Sequence, residues 1–111
     1  MDAVENSTIQ IVLSELKIRL LQRYRDRIER LVLYGSRARG DYDAGSDIDV
    51  AIIVKDLDRE TKLDILDVVA DLELKHLVPL STLVLSSEAY TDLLHRERRI
   101  ALDIEDEGIP L

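Results

Sequence analysis

The sequence predicts an α+β domain: a small mixed β-sheet with helices packed on one side, in the order α-β-β-α-β-α. Longer segments carry apolar residues at the three- and four-residue spacing of an amphipathic helix, whereas shorter segments are strand-length runs of Val, Ile and Leu. These segments follow one another without a low-complexity linker, and 111 residues lie within the usual range for one domain. We therefore expect residues 1–111 to form a single α+β domain.

The first predicted element is a helix. Apolar residues recur at helical spacing between residues 9 and 28, which predicts a helix that runs to about Arg30. Ser7 or Thr8 can cap its start, because a hydroxyl oxygen accepts a hydrogen bond from an N–H group of the first turn. The run RLVLYG then predicts a short strand that ends at Gly35.

The second strand is predicted from the run DIDVAIIV, residues 47–54. Beyond Val50 both faces of this strand are apolar, so we expect it to be central in the sheet. Asp58 can cap a second amphipathic helix, which the apolar spacing predicts from about Arg59 to His76.

The last third of the chain predicts one strand and more helix. The run LSTLVLSS has the composition of a third strand. Ser87 can cap a helix that runs through about Arg96, with Glu88 in its first turn. A final helical stretch, RRIALDIEDEG, is stopped by Gly108 and Pro110.

Composition restricts the class of protein. Hydrophobic residues make up 46% of the chain, but only 4% is aromatic, so Leu, Ile, Val and Ala must build the core. The net charge of −8 argues against non-specific nucleic-acid binding and suits metal cations or a basic partner, although solubility alone explains it equally well.

No cysteine is present, which excludes disulfides and Cys-based zinc sites. The acidic start does not resemble a signal peptide, and no apolar run reaches the roughly 20 residues that span a bilayer, so we expect a cytoplasmic protein.

Two aspartates at the start of the second strand form the first candidate site. Asp47 and Asp49 are two positions apart, and residues i and i+2 of a strand point to the same face. Carboxylates held side by side repel each other, and partial burial adds to the cost. Mg²⁺ removes this cost, and it commonly takes one or two carboxylates together with substrate phosphate and water. We therefore predict that Asp47 and Asp49 are catalytic residues that bind one or two Mg²⁺ ions.

The end of the first strand forms the second candidate site. Gly35 has no Cβ, so the backbone there can approach a ligand closely, and N–H groups at a strand-to-helix turn suit phosphate. The Ser36 hydroxyl can add a hydrogen bond, and Arg37 and Arg39 can offset phosphate charge. A phosphate turn beside a metal pair is the layout of metal-assisted nucleotidyl transfer.

Each motif is weak by itself. The chain has 14 aspartates, so a lone D-x-D pair carries little weight, and GDYDAGSD also fits a solvated turn. In that loop Tyr42 is a candidate contact to a base or partner, whereas Asp41 and Asp43 are interpreted as solvated. The prediction of a nucleotide and metal site rests on the joint pattern: a Gly-Ser pair, ten residues and a D-x-D pair, with a predicted strand on each side.

The run from Leu31 to Val54 resembles the nucleotidyltransferase superfamily that includes DNA polymerase beta and the aminoglycoside nucleotidyltransferases. The segment GSRARGDYDAGSDIDVAII looks most like the minimal nucleotidyltransferases of prokaryotes, of the MntA antitoxin type. The resemblance implies the nucleotidyltransferase fold, ATP as donor and Mg²⁺ as cofactor. It also implies a helical HEPN-domain toxin as partner, with AMP transferred onto a tyrosine of that toxin.

The sequence departs from this family pattern at one position. Active members usually carry a third carboxylate on the following strand, where this chain offers only Ser81 or Thr82. A hydroxyl cannot act as a base near neutral pH without help. Two functions therefore remain open: an adenylyltransferase whose base comes from elsewhere, and a catalytically weak antitoxin subunit that neutralises its partner by contact. The sequence also leaves room for a homo-oligomer.

Overall fold

The computed structural model describes residues 6–40 and 47–111, which fold around a four-stranded sheet. Within these ranges the helices are α1 (Asn6–Tyr24), α2 (Ser36–Arg39), α3 (Arg59–His76), α4 (Ser87–His95) and α5 (Arg99–Glu107), with a 3₁₀ turn at Arg25–Arg27. The strands are β1 (Ile28–Tyr34), β2 (Ile48–Val54), β3 (Leu80–Ser86) and β4 (Ile109–Pro110). The predictions for Asp41, Tyr42 and Asp43 fall outside the described residues.

The sheet is mixed, in the strand order β3-β2-β1-β4. β1 lies antiparallel to β2 and to the two-residue β4, whereas β2 and β3 are parallel and joined by α3. β2 is therefore central among the described strands, as its apolar sequence predicted. The mixed α+β fold class is confirmed.

One detail of the predicted architecture is corrected: helices cover both faces of the sheet, not one. Alternate residues of β2 face opposite sides, and both sets are buried. Val50 and Ile52 pack with α1 and α3, whereas Ala51 and Ile53 pack with α4 and α5. Since a strand that is apolar on both faces must be covered on both, the same observation that made β2 central also required the second helical layer.

The first helix is shorter than predicted. α1 already includes Asn6, so Ser7 and Thr8 lie within it, and it ends at Tyr24 instead of Arg30. Arg25 has a φ of 40°, a left-handed conformation that a helix cannot continue through. The residues that follow are drawn into the sheet, where Ile28 pairs with Val54.

Of the predicted helix N-caps, Asp58 is confirmed, whereas Ser87 is wrong by one residue. The Asp58 carboxylate accepts a hydrogen bond of 2.7 Å from the N–H of Thr61 at the start of α3. The cap of α4 is Ser86 and not the neighbouring Ser87. The Ser86 hydroxyl oxygen accepts a hydrogen bond of 3.0 Å from the N–H of Ala89. α5 ends before Gly108, as predicted. No helix in the described parts of the chain is both long enough and apolar enough to cross a membrane.

Candidate functional site

The two sequence motifs meet at one end of the sheet. β1 ends at Tyr34, and its cross-strand partner on β2 is Asp49. On the other side of β2, Asp49 is level with Ser81 at the start of β3. Because Ile48 and Val50 on either side of it face α1 and α3, the Asp49 side chain belongs to the α4/α5 face. The site is thus built on three neighbouring strands.

Gly35 lies directly against Asp49, one member of the aspartate pair. Its φ of 78° and ψ of −158° define a conformation that only glycine adopts readily. A Cβ atom built on Gly35 would collide with the Asp49 carboxylate. A glycine is therefore required here twice, once for the backbone conformation and once for the close approach of the two motifs.

The surroundings of Asp49 disfavour its charged form. Its partial burial and the neighbouring charge of Asp47 raise the pKa of the Asp49 carboxyl. The Ser81 hydroxyl, which donates a hydrogen bond to Asp49, and the charge of Arg39 act in the opposite direction but do not cancel the rise in this pKa. A cation bound beside the two carboxylates would favour their charged forms and offset this rise.

The turn after β1 is the start of the short helix α2, as predicted for a strand-to-helix turn. The N–H groups of Ala38 and Arg39 both donate to the Gly35 carbonyl at 3.1 Å. Gly40 ends this helix in the left-handed conformation and donates its N–H to the Ser36 carbonyl at 2.9 Å. The Ser36 hydroxyl is thereby held at the first helical position, next to Gly35.

The two arginines that were predicted together as phosphate ligands have different surroundings. Arg37 is buried, with 9% of its surface exposed. Arg39 is partly exposed, and its guanidinium forms an ion pair of 3.0 Å with Glu107 at the end of α5. Since the charge of Arg39 also lowers the pKa of Asp49, Arg39 lies beside the carboxylate pair.

Two neighbours of the site were not identified from the sequence. Glu107 pairs with Arg39 from a position 68 residues away, and its acidic segment looks like an ordinary solvated helix end. Tyr34 lies opposite Asp49, and burial together with the Asp49 charge raises the pKa of its phenol. Only strand register and the packing of α5 reveal these contacts, so no local pattern signals them.

The strand register also decides between Ser81 and Thr82. Ser81 is the residue opposite Asp49, whereas Thr82 is opposite Val50 and belongs to the other face. Across residues 6–40 and 47–111, no group of three or more His, Asp or Glu side chains is arranged to hold a metal ion. The donor set of Asp47 and Asp49 still fits Mg²⁺, which often takes only one or two protein carboxylates.

Comparison with known proteins places this site in a family. A family model described as "Polymerase beta, Nucleotidyltransferase" matches residues 16–102, which include every site residue named above except Glu107. This chain belongs to the polymerase beta nucleotidyltransferase family. The family resemblance inferred from the sequence is confirmed, and the domain is a nucleotidyltransferase.

Two relatives of this nucleotidyltransferase domain come from Methanocaldococcus jannaschii. The protein named "Putative protein adenylyltransferase MJ0141" is 28% identical over 94 residues, which cover 84% of this chain and 95% of that protein. "Putative protein adenylyltransferase MJ0604" is 41% identical over 71 residues, which cover 64% of this chain and 67% of that protein.

Solved structures share the fold of the nucleotidyltransferase domain. A "putative nucleotidyltransferase" from Sulfolobus solfataricus aligns with a TM-score of 0.53 at 20% identity, over 94% of this chain and 81% of that one. A "toxin-antitoxin with AMP-PNP" aligns with a TM-score of 0.53 at 18% identity, over 86% of this chain and 69% of that one. At these identities the likeness establishes the nucleotidyltransferase fold.

Proposed function

We propose that this domain transfers AMP from ATP, with Mg²⁺, to a hydroxyl group of a partner protein. The acceptor in this proposal is a tyrosine of a helical HEPN-domain toxin, which makes the domain an antitoxin. The observation that carries the proposal is the contact between Gly35 and Asp49, which joins a turn suited to phosphate to a carboxylate suited to metal.

The aspartate pair is the proposed metal site. Asp47 and Asp49 would hold Mg²⁺, because a bound cation would offset the burial and the repulsion between the two carboxylates that raise the pKa of Asp49. Bound Mg²⁺ would supply positive charge to the ATP phosphates and to the charge that develops during transfer. The pair itself orients this charge on the α4/α5 face.

The turn at the start of α2 is the proposed phosphate site. Gly35 leaves room for a phosphate oxygen, and the Ser36 hydroxyl is held at the start of the helix by the backbone hydrogen bonds of α2. Arg39, beside Asp49, is the better placed of the two predicted arginines, because Arg37 is mostly buried.

The proposed reaction needs an acceptor and a base. The acceptor oxygen bonds to the α-phosphorus of ATP, the bond to the bridging oxygen breaks, and pyrophosphate leaves with the electron pair. Opposite Asp49 the chain offers the Ser81 hydroxyl, which cannot take up the acceptor proton near neutral pH. In this proposal the proton is taken up by solvent or by a side chain of the partner.

Two comparisons support a protein acceptor. The M. jannaschii relatives are named protein adenylyltransferases, and one structural neighbour is a toxin–antitoxin with an ATP analogue. The net charge of −8 would favour a partner with a basic face and make association sensitive to salt.

A second candidate function is a nucleotide-binding antitoxin that neutralises its partner by contact alone. Ser81 favours this candidate, because the third carboxylate typical of active family members is replaced by a hydroxyl opposite Asp49.

Intact-mass spectrometry of the co-encoded partner separates the two functions. With ATP and Mg²⁺ the partner should gain the mass of one AMP, and Asp49→Asn should abolish this gain. Asp67→Asn, on the exposed part of α3, is the matched control and should leave the gain unchanged. A partner that forms a complex without any mass gain would support the contact-only antitoxin. Ser81→Asp, which restores a carboxylate opposite Asp49, sharpens the test: it should speed the transfer if a base limits the reaction.

A further inference from the structure

The outer surfaces of α1 and α3 expose an unusual amount of aliphatic side chain. The described residues include nine exposed large hydrophobic side chains, and seven of them lie on α1 or on α3 and its C-cap. These seven are Ile11, Ile18, Leu21, Leu63, Leu66, Leu74 and Leu77. The helices pack their opposite sides on the sheet, so all seven point away from the core, in an α1 group and an α3 group that ion pairs between the helices separate.

The α3 group has a symmetric spacing. Leu63, Leu66, Ala70, Leu74 and Leu77 follow one another at intervals of three, four, four and three residues, and Ala70 is itself exposed. We call these five residues the leucine stripe. Leu74 and Leu77 are 77% and 83% exposed, the largest values among the exposed hydrophobic residues that the structure describes.

We propose that the leucine stripe is the interface through which two copies of this chain form a symmetric dimer. The spacing is the same read in either direction from Ala70. A two-fold axis at Ala70 therefore places Leu66 opposite Leu74 of the second copy, and Leu63 opposite Leu77. Such an isologous contact needs a self-complementary surface, which the stripe provides.

The centre of the stripe suits the crossing of two helices. Leu66, Ala70 and Leu74 form one row at four-residue spacing, and such rows interdigitate when two helices cross at about −50°. Ala70 has the smallest side chain of the row and stands at the crossing point, which lets the helices approach closely.

α1 extends the same surface. The ion pairs Arg19–Asp71 at 2.8 Å and Lys75–Glu15 at 2.9 Å run along the seam between the two helices. Ile18 is the neighbour of Arg19 in the sequence, so α1 adds exposed apolar surface beside this seam.

The exposed area agrees with a dimer. The seven residues together expose roughly 700 Å². This area is close to the ~800 Å² that each partner contributes to a stable interface. Both groups also lie on the face of the sheet opposite Asp49, so the dimer leaves both candidate active sites open.

Sedimentation velocity on the full chain tests the dimer. The unmodified chain should sediment as a dimer at micromolar concentrations, and Leu74→Glu should halve its mass. Ile100→Glu is the matched control: Ile100 is 37% exposed on α5, on the other face of the sheet, and its replacement should leave the dimer intact. Circular dichroism verifies that each variant is folded. An unmodified chain that is monomeric, or a dimer that survives Leu74→Glu, overturns the proposal.

A charge-pair rescue tests the register. Leu66→Lys and Leu74→Glu should each give monomers, whereas the chain that carries both should dimerise again. The two-fold axis would then form two equivalent ion pairs, each between the lysine at position 66 of one copy and the glutamate at position 74 of the other. The two positions are eight residues apart on one helix and cannot pair within a chain. Failure of the double variant to dimerise overturns the two-fold axis at Ala70. The chain could instead be monomeric and bind its helical partner through the stripe, so that Leu74→Glu abolishes binding of the partner. That result would overturn the proposal that a second copy covers the stripe.

Discussion

Gly35→Ala tests the contact that holds the candidate site together. The Gly35 backbone has a φ of 78° and a ψ of −158°, and a side chain in this region costs about 1–3 kcal/mol. The new Cβ also collides with the Asp49 carboxylate, which must move and give up its hydrogen bond with Ser81, at about 1 kcal/mol. The loss in free energy of unfolding should therefore be about 2–4 kcal/mol.

Gly40→Ala is the matched control for backbone strain. Gly40 has a φ of 84°, and among the described residues no atom beyond its chain neighbours and its own helix backbone lies within 4 Å of a Cβ built there, so only strain of about 1 kcal/mol is expected. Urea unfolding of both variants, with circular dichroism as the readout, measures the difference. In a thermal melt the Gly35 variant should lose roughly 8–32 °C, since 1 kcal/mol corresponds to about 4–8 °C for a domain of this size.

Removal of the colliding group isolates the contact itself. In an Asp49→Ala background the nearest remaining atom to the new Cβ is the Asp49 Cβ position at 3.4 Å, an ordinary contact. Gly35→Ala should then destabilise the protein by about 1 kcal/mol less than it does in the unmodified chain. Additive effects in this double-mutant cycle, or equal effects of alanine at positions 35 and 40, would refute the contact between the two motifs.

Three further predictions concern the site and its supports. The raised pKa of Asp49 means that the folded state holds its proton more tightly than the unfolded chain, so Asp49→Asn should raise the metal-free free energy of unfolding at pH 7. Urea titrations should show this gain fading as the pH falls through the raised pKa of Asp49 and vanishing below about 4, the ordinary pKa of an aspartate. Isothermal titration with ATP and Mg²⁺ should show that Asp49→Asn binds more weakly and that Ser36→Ala loses about 1 kcal/mol, the contribution of one hydrogen bond; unchanged affinity in both would rule out the proposed site. Asp58→Ala should cost about 1 kcal/mol of stability in urea unfolding, because the N–H of Thr61 loses its cap, and a smaller loss at Asp58→Asn provides the control.

Local sequence patterns determined most of the secondary structure. The spacing of apolar residues predicted α3, β2 and β3 close to their observed bounds, because these elements depend on their own periodicity and on local signals such as the Asp58 cap. The end of α1 was predicted too late, since Ile28 fits a helical spacing equally well and is drawn into β1 only by pairing with Val54. A residue that fits two elements is assigned by its tertiary neighbours.

The sequence by itself identified the residues of the candidate site, and the tertiary structure decided their neighbours. The Gly-Ser and D-x-D pairs were recognisable because each motif is local. Strand register alone made Ser81, and not Thr82, the residue opposite Asp49, since a shift of one residue turns every side chain to the other face. The ion pair of Arg39 with Glu107 joins residues from distant parts of the chain, so it exists only once α5 has packed beside β1. The physical reason is the same throughout: periodicity and caps act over a few residues, whereas register and ion pairs depend on which elements the folded core brings together.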